Sequence, residues 1–98
     1  MFDKMKQLMD MQKKMQELKR QLDSATFEVL SSDSSVKLVM NGSQELKEVS
    51  IQKELAQIEK SRLEAAIKDA YTKALKKSHE IAASKMKETT GFNIPGLM

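Results

Sequence analysis

Val36-Lys37-Leu38-Val39-Met40-Asn41-Gly42 sets apolar residues at every second position and then ends on a dipeptide suited to reversing the chain. Alternation puts Val36, Leu38 and Met40 on one face of a strand, and Asn-Gly tolerates the positive φ that a tight hairpin turn needs. On either side the same period of two recurs. Phe27 and Val29 point one way before the polar stretch Ser31-Ser32-Asp33-Ser34-Ser35, and Val49 and Ile51 share a face in the run Leu46 to Ile51. Residues 25–51 are therefore expected to form a three-stranded antiparallel meander.

Outside this stretch the period lengthens to that of a helix. Upstream, Met1, Leu8, Met15 and Leu22 recur every seven residues, with Met11, Leu18 and Ala25 as a companion seam and Met5 beside them. Nothing breaks the segment from Phe2 to Leu22, so an amphipathic helix roughly 30 Å long is expected. Downstream, from about Gln57, a second stripe contains Leu63, Ile67, Ala70, Tyr71, Ala74, Leu75, Ile81 and Ala82, and no Gly or Pro interrupts it before Gly91. A helix of that length, roughly 45 Å, must project beyond a small sheet, because a compact chain of 98 residues has a radius of gyration of only about 13 Å. Its long apolar stripe needs a cover, and a second copy is the simplest one. The fold expected is α+β: helix, meander, long helix, in one domain over residues 1–90, with residues 91–98 as a flexible C-terminal tail.

Composition narrows the function classes. Hydrophobic residues at 40% and charged residues at 32% suit a folded domain, and the absence of cysteine rules out disulfides, thiolate metal sites and a thiol nucleophile. No apolar run approaches the roughly 18–20 residues of a membrane-spanning helix, so neither a signal peptide nor a span is expected and the chain is assigned to the cytoplasm. His79, the one histidine, lies among charged residues and reads as a surface group rather than a general base. Three glycines at 42, 91 and 96 build no phosphate loop. No catalytic residue, metal cluster or cofactor is expected, and the chain is read as a binding module rather than an enzyme. Met1, Met5, Met9, Met11 and Met15 could line a groove for partner helices or a soft-metal thioether site, but their spacing fits core or dimer seam better, with Met9 off the stripe and exposed.

Charge distribution carries the functional signal. Residues 1–24 hold six Lys/Arg against four Asp/Glu, residues 25–56 three against five, and residues 57–98 eight against five. An anionic partner would thus meet the helices, not the centre. Lys6, Lys13 and Arg20 line up opposite the first stripe. Arg62, Lys73, Lys76 and Lys87 lie opposite the second, with Lys77 at its flank. Interspersed Asp10, Glu17, Asp69 and Glu80, including the i, i+4 spacings of Asp69 with Lys73 and of Lys76 with Glu80, fit an ordinary solvated face equally well. At 4% aromatic residues there is no platform for stacking bases, which favours duplex over single-stranded nucleic acid.

Met5-Lys6-Gln7-Leu8-Met9, Met11-Gln12-Lys13-Lys14-Met15, Val36 to Gly42, Val49-Ser50-Ile51, Ala65-Ala66-Ile67-Lys68-Asp69-Ala70 and the ending Pro95-Gly96-Leu97-Met98 resemble, in this order and spacing, the YbaB/EbfC family of bacterial nucleoid-associated proteins. The resemblance covers nearly the whole chain. It implies a tweezer-like homodimer with projecting helices, binding of double-stranded DNA with low sequence specificity, a nucleoid location, and a role in nucleoid organisation or gene regulation. The chain departs from the family pattern at Ser32-Asp33-Ser34-Ser35, where a glycine-rich turn is usual, and at Gln52-Lys53, where Asp-Pro is usual. These departures imply a looser first turn and a less fixed start to the long helix. Two rival readings remain: a protein-interaction or chaperone-like module using the Met-rich helix and apolar tail, and a basic amphipathic helix lying on a membrane surface.

Overall fold

The computed structural model describes residues 2–90, so the tail expected over 91–98 lies outside the described residues. Helix α1 (Phe2–Ser24) is followed by strands β1 (Thr26–Leu30), β2 (Val36–Asn41) and β3 (Leu46–Ile51), a 3-10 turn at Leu55–Gln57, and helix α2 (Lys60–Thr90). The sheet is antiparallel in the order β1-β2-β3. The α+β meander between two helices is therefore present. The long helix begins three residues later than the stripe suggested, after the 3-10 turn.

Helix α2 crosses the sheet over β2 and β1. Val36, Leu38 and Met40 meet Ala66, Ala70 and Ala74 in the core, with Phe27, Val29, Leu63 and Leu75 packed around it. The buried line on α2 is thus Ala66-Ala70-Ala74-Ser78, a run of small residues at i, i+4 that lets the helix axis approach the strands closely. Ser78 is fully buried and donates its hydroxyl to the Asn41 carbonyl at 3.1 Å, so its polarity costs little. Ile67 and Tyr71, expected on the buried stripe, instead flank it and are 42% and 44% exposed. Small residues won the contact because large ones would hold the helix off the sheet.

The turn at Asn41-Gly42 takes its positive φ at a different residue from the two that the dipeptide offered. Asn41 stays in β2 and its amide donates to the Glu45 carbonyl, so three residues, 42–44, form the loop. Gln44, not Asn or Gly, takes the positive φ, 65°. That pattern matches a three-residue hairpin loop closed by a left-handed residue. Asn41 still directs it, because its side-chain oxygen accepts the Ser43 and Glu45 amides while its nitrogen donates to the Asp23 carbonyl and the Glu45 carboxylate. Gly42 has a different task. A Cβ there would stand 3.0 Å from Leu22 Cδ2 and 3.2 Å from Ile81 Cγ2, and its amide donates to the Leu22 carbonyl at 3.0 Å. This glycine is where the end of α1, the hairpin and α2 converge.

At the opposite end of the sheet, the serine-rich turn is held firmly rather than loosely. Asp33 accepts hydrogen bonds from the Ser31 and Ser35 hydroxyls and from the Ser35 amide, which supports Ser34 at φ 62°. Side-chain hydrogen bonds replace what a glycine would supply by backbone freedom alone. The Asp69 carboxylate on α2 accepts the Ser32 amide at 2.8 Å and ties this turn to the helix.

Two surfaces are left without a cover. Leu46, Val49 and Ile51 pair with Met40, Leu38 and Val36, so they share the core face of the sheet, yet they lie beyond the reach of α2 and Val49 is 55% exposed. Lys77 over the Phe27 ring marks the β1 flank of α2, which leaves Ile67 and Tyr71 on the flank toward β3. Strand and helix flank thus both present uncovered apolar side chains on the same side of the sheet. The second surface is on α1, where Met5, Leu8, Met9, Met11 and Met15 are exposed and only Leu18 is buried. Met9 fits its expected exposure, while Met5, Met11 and Met15 on this helix are not core of the single chain.

Candidate nucleic-acid interface

The molecule is long: 67 × 23 × 16 Å, with a radius of gyration of 18.1 Å. Its length comes from the helices. Ile81 meets the Gly42 turn beside Leu22, and from there α2 continues past the sheet while α1 extends in the same outward direction toward its N-terminus. An anion as extended as a nucleic-acid backbone would therefore find its counter-charges along these helices.

Basic residues fall into two groups, those held by carboxylates and those not. Arg20 is gripped by Glu17 through its Nε at 3.0 Å and through Nη2. That contact lowers the Glu17 carboxyl to about 2, with Gln21 assisting, and raises the Arg20 guanidinium. Lys73 lies 3.0 Å from Asp69, and its ammonium also donates to the Ser32 hydroxyl at 3.0 Å. Asp69 is lowered by the Ser32 amide first and by Lys73 next. Lys19 pairs with Asp23 at 3.1 Å, and Lys85 with Glu88 at 3.7 Å. Lys77 sits 5.6 Å from the Phe27 ring centroid.

Lys6, Lys13, Lys76 and Lys87 are exposed and have no ion-pair partner among the described residues. The same is true of Lys4 and Lys14 on α1 and of Lys60, Arg62 and Lys68 on α2. Of the two spacings singled out in the sequence, Asp69–Lys73 forms an ion pair and Lys76–Glu80 does not. The two sequence rows are thus real as faces but uneven as charge: on α1 the carboxylates hold Lys19 and Arg20 near the sheet and not the lysines of the outer half, and on α2 they hold Lys73 but not Lys76 or Lys87. Lys4 and Lys14 were missed because they do not repeat every seven residues. For Lys4 the available signal was the lack of a carboxylate at i+3 or i+4; Lys14, with Asp10 at i−4 and Glu17 at i+3, gave no such signal.

His79 is half-buried, and no group of three or more His, Cys, Asp or Glu able to hold a metal occurs among the described residues. No described helix is long and apolar enough to cross a membrane. The concave places on this surface are shallow, and the one between the serine-rich turn and α2 is lined by Asp33, Arg62 and Asp69, a mixture of signs that selects no ligand charge.

Sequence comparison agrees with this arrangement. The chain is 37% identical over 84 residues to a nucleoid-associated protein of Dictyoglomus thermophilum, covering 81% of each chain. It is 33% identical to one of Ruminiclostridium cellulolyticum, over 95% of this chain and 84% of that protein. With one of Gloeothece citriformis the identity is 35%, over 98% and 82%. Residues 1–92 match the sequence profile of the YbaB/EbfC DNA-binding family, and the chain belongs to that family.

Proposed function

We propose that the protein is a homodimeric binder of double-stranded DNA with low sequence specificity, located at the nucleoid, which acts by organising or regulating DNA rather than by catalysis. The observation that carries this reading is the row of unpaired cations on an outward-reaching helix. Lys6 and Lys13 lead the contact on α1, and Lys76 and Lys87 lead it on α2. Arg20 and Lys73 contribute less, because DNA must compete with Glu17 and Asp69 for them, and Lys77 is shared with Phe27. With a formal charge of +3 per chain, a dimer carries +6 (2 × 3), so a handful of phosphates is neutralised.

The dimer reading rests on the uncovered apolar side chains of β3 and α2. Leu46, Val49 and Ile51 on β3 and Ile67 and Tyr71 on the adjoining flank of α2 are exposed and apolar. A two-fold pairing of this surface with itself covers all five in both copies. It also sets two α1 helices on one body, the tweezer arrangement expected from the sequence.

A salt series with a duplex of arbitrary sequence tests the function. Affinity should fall with a log–log slope of about −0.9 per phosphate contact, and replacement of Lys6, Lys13 and Arg20 by Ala should weaken binding and flatten the slope. A folded triple variant that binds like the parent would remove α1 from the interface. The exposed methionines of α1 favour a second reading, a polypeptide-binding arm. Salt-insensitive retention of a polypeptide, with no retention of duplex DNA, would place that reading first.

A further inference from the structure

The apolar line on α1 is covered at one end and bare at the other. Leu18 is buried, Leu22 is half-buried against Gly42 and Ile81, and Met15 is at the boundary at 39% exposed, whereas Met5, Leu8 and Met11 continue the same line in the open, Leu8 being 69% exposed. The change from covered to bare follows the end of α2. Because the two helices run antiparallel from the level of Leu22 and Ile81, the nine residues from Ile81 to Thr90 advance about 13 Å. That brings the last turn of α2 beside about residue 13 of α1. Beyond it, nothing described lies on the line.

Eight residues follow Thr90: Gly91-Phe92-Asn93-Ile94-Pro95-Gly96-Leu97-Met98. None of the eight is charged, in a chain with 32% charged residues, and four are large and apolar. Gly91 and Pro95 oppose continuation of the helix. An extended chain advances about 3.1 Å per residue, so the segment reaches about 25 Å, while α1 from residue 13 to residue 3 spans about 15 Å. The segment starts at the bare part of the line and is long enough to follow it.

We propose that residues 92–98 dock on α1 of their own chain, with Phe92, Ile94 and Leu97 against Met11, Leu8 and Met5. Methionine suits this role, since its flexible thioether side chain packs against irregular partners. Tethering supplies the driving force that a short apolar segment lacks by itself, because a segment attached beside its site is present at an effective concentration of about millimolar. A second copy has the uncovered face of β3 to occupy, whereas the bare line on α1 continues the packing of α2 on α1. Docking leaves Lys6 and Lys13 free, since they lie on the opposite face of the helix. The proposal does not depend on DNA binding.

The absence of cysteine in the chain makes the test direct. Leu8→Cys combined with Asn93→Cys in the full-length protein is treated with a short bismaleimide, without DNA. Lys6→Cys with Asn93→Cys, at the same level of α1 on the other face, is the control. The Leu8 pair should cross-link within one chain, giving a product of single-chain mass, at least about tenfold faster than the control. Equal rates for the two pairs, or a product joining two chains, would overturn the proposal. As a second measurement, Phe92→Ser, Ile94→Ser and Leu97→Ser together should speed amide hydrogen exchange over residues 4–15 and leave the sheet unchanged. Unaltered exchange in α1 would equally overturn it.

Discussion

Gly42 and Asp33 each hold one end of the sheet, by opposite means. At Gly42 the determinant is space. A Cβ would press on the Leu22 side chain at 3.0 Å and on the Leu22 carbonyl at 3.2 Å, and only the former can yield. Gly42→Ala should therefore destabilise the fold by about 1–3 kcal/mol, read as a lower urea midpoint, by forcing α1 away from the hairpin. At Asp33 the determinant is charge. The Ser35 and Ser31 hydroxyls and the Ser35 amide hold its carboxyl well below the usual carboxylate range, and Arg20 lowers Glu17 from 4.5 to about 2. Carboxyls whose folded values lie below their unfolded ones stabilise fully above the unfolded values, near 4, and lose that contribution as pH falls through the folded ones. Urea midpoints should thus be flat from pH 7 to about 5 and decline from about 4 toward 2. Asp33→Asn should lower the midpoint at neutral pH and weaken that decline; an unchanged acid profile would show that the turn does not couple to folding.

At the scale of the element, the two helices carry the same residue types to different ends. The inward face of α2 is Ala66, Ala70, Ala74 and Ser78, and its outward face carries Lys76 and Lys87. Helix α1 is amphipathic along its described length, but its side chains are buried or half-buried only from Leu18 onward. Its cations differ in the same sense, since Arg20 near the sheet is held by Glu17, while Lys6 and Lys13 farther out have no ion-pair partner among the described residues. The double substitution Lys6→Ala with Lys13→Ala should therefore reduce duplex affinity and the salt slope by more than twice the effect of Arg20→Ala alone, by electrophoretic shift across a salt series. If Arg20→Ala has the larger effect, DNA displaces Glu17 on binding and the ion pair is a latch rather than a neutralised charge. Thermal unfolding should be nearly the same for Lys6→Ala with Lys13→Ala and the parent, because exposed unpaired lysines contribute little to stability.

For the whole molecule, shape follows from what one small sheet can cover. Helix α2 spans β1 and β2 and leaves the core face of β3 bare, and the apolar residues from Val49 to Tyr71 are the seat proposed here for a second copy. Val49→Lys and Ile67→Lys each put a charge among those residues without entering the core of the single chain. Both should shift sedimentation from dimer toward monomer at micromolar concentration, because an unpaired charge in a closed interface is costly. A single chain that stays folded once separated would keep its far-UV circular dichroism. Unaltered dimers in both variants would move the interface elsewhere. Loss of the dimer should also weaken DNA binding, since two arms on one body bind with an effective concentration that one arm lacks.

Periodicity alone determined the elements of this protein: seven-residue spacing in 1–25, alternation in 26–51, and an uninterrupted helical stripe up to Gly91. Each is a local property, set by where a side chain must point on a helix or a strand. The positions of Lys6, Lys13, Arg20, Lys73, Lys76 and Lys87 on outward faces, and of Lys77 at the flank, were legible for the same reason. Tertiary structure decided what periodicity cannot encode. It chose Ala66, Ala70, Ala74 and Ser78 over Ile67 and Tyr71 for the sheet contact, because helix-to-strand distance depends on side-chain volume and not on hydrophobicity. It gave the positive φ of the hairpin to Gln44 and made Gly42 a point of close approach, because that demand comes from α1 and α2, far away in sequence. It also sorted the cations, binding Lys73 to Asp69 and Ser32 and leaving Lys76 without a bond to Glu80, because Ser32, which holds both Asp69 and Lys73, is brought there from a distant part of the sequence.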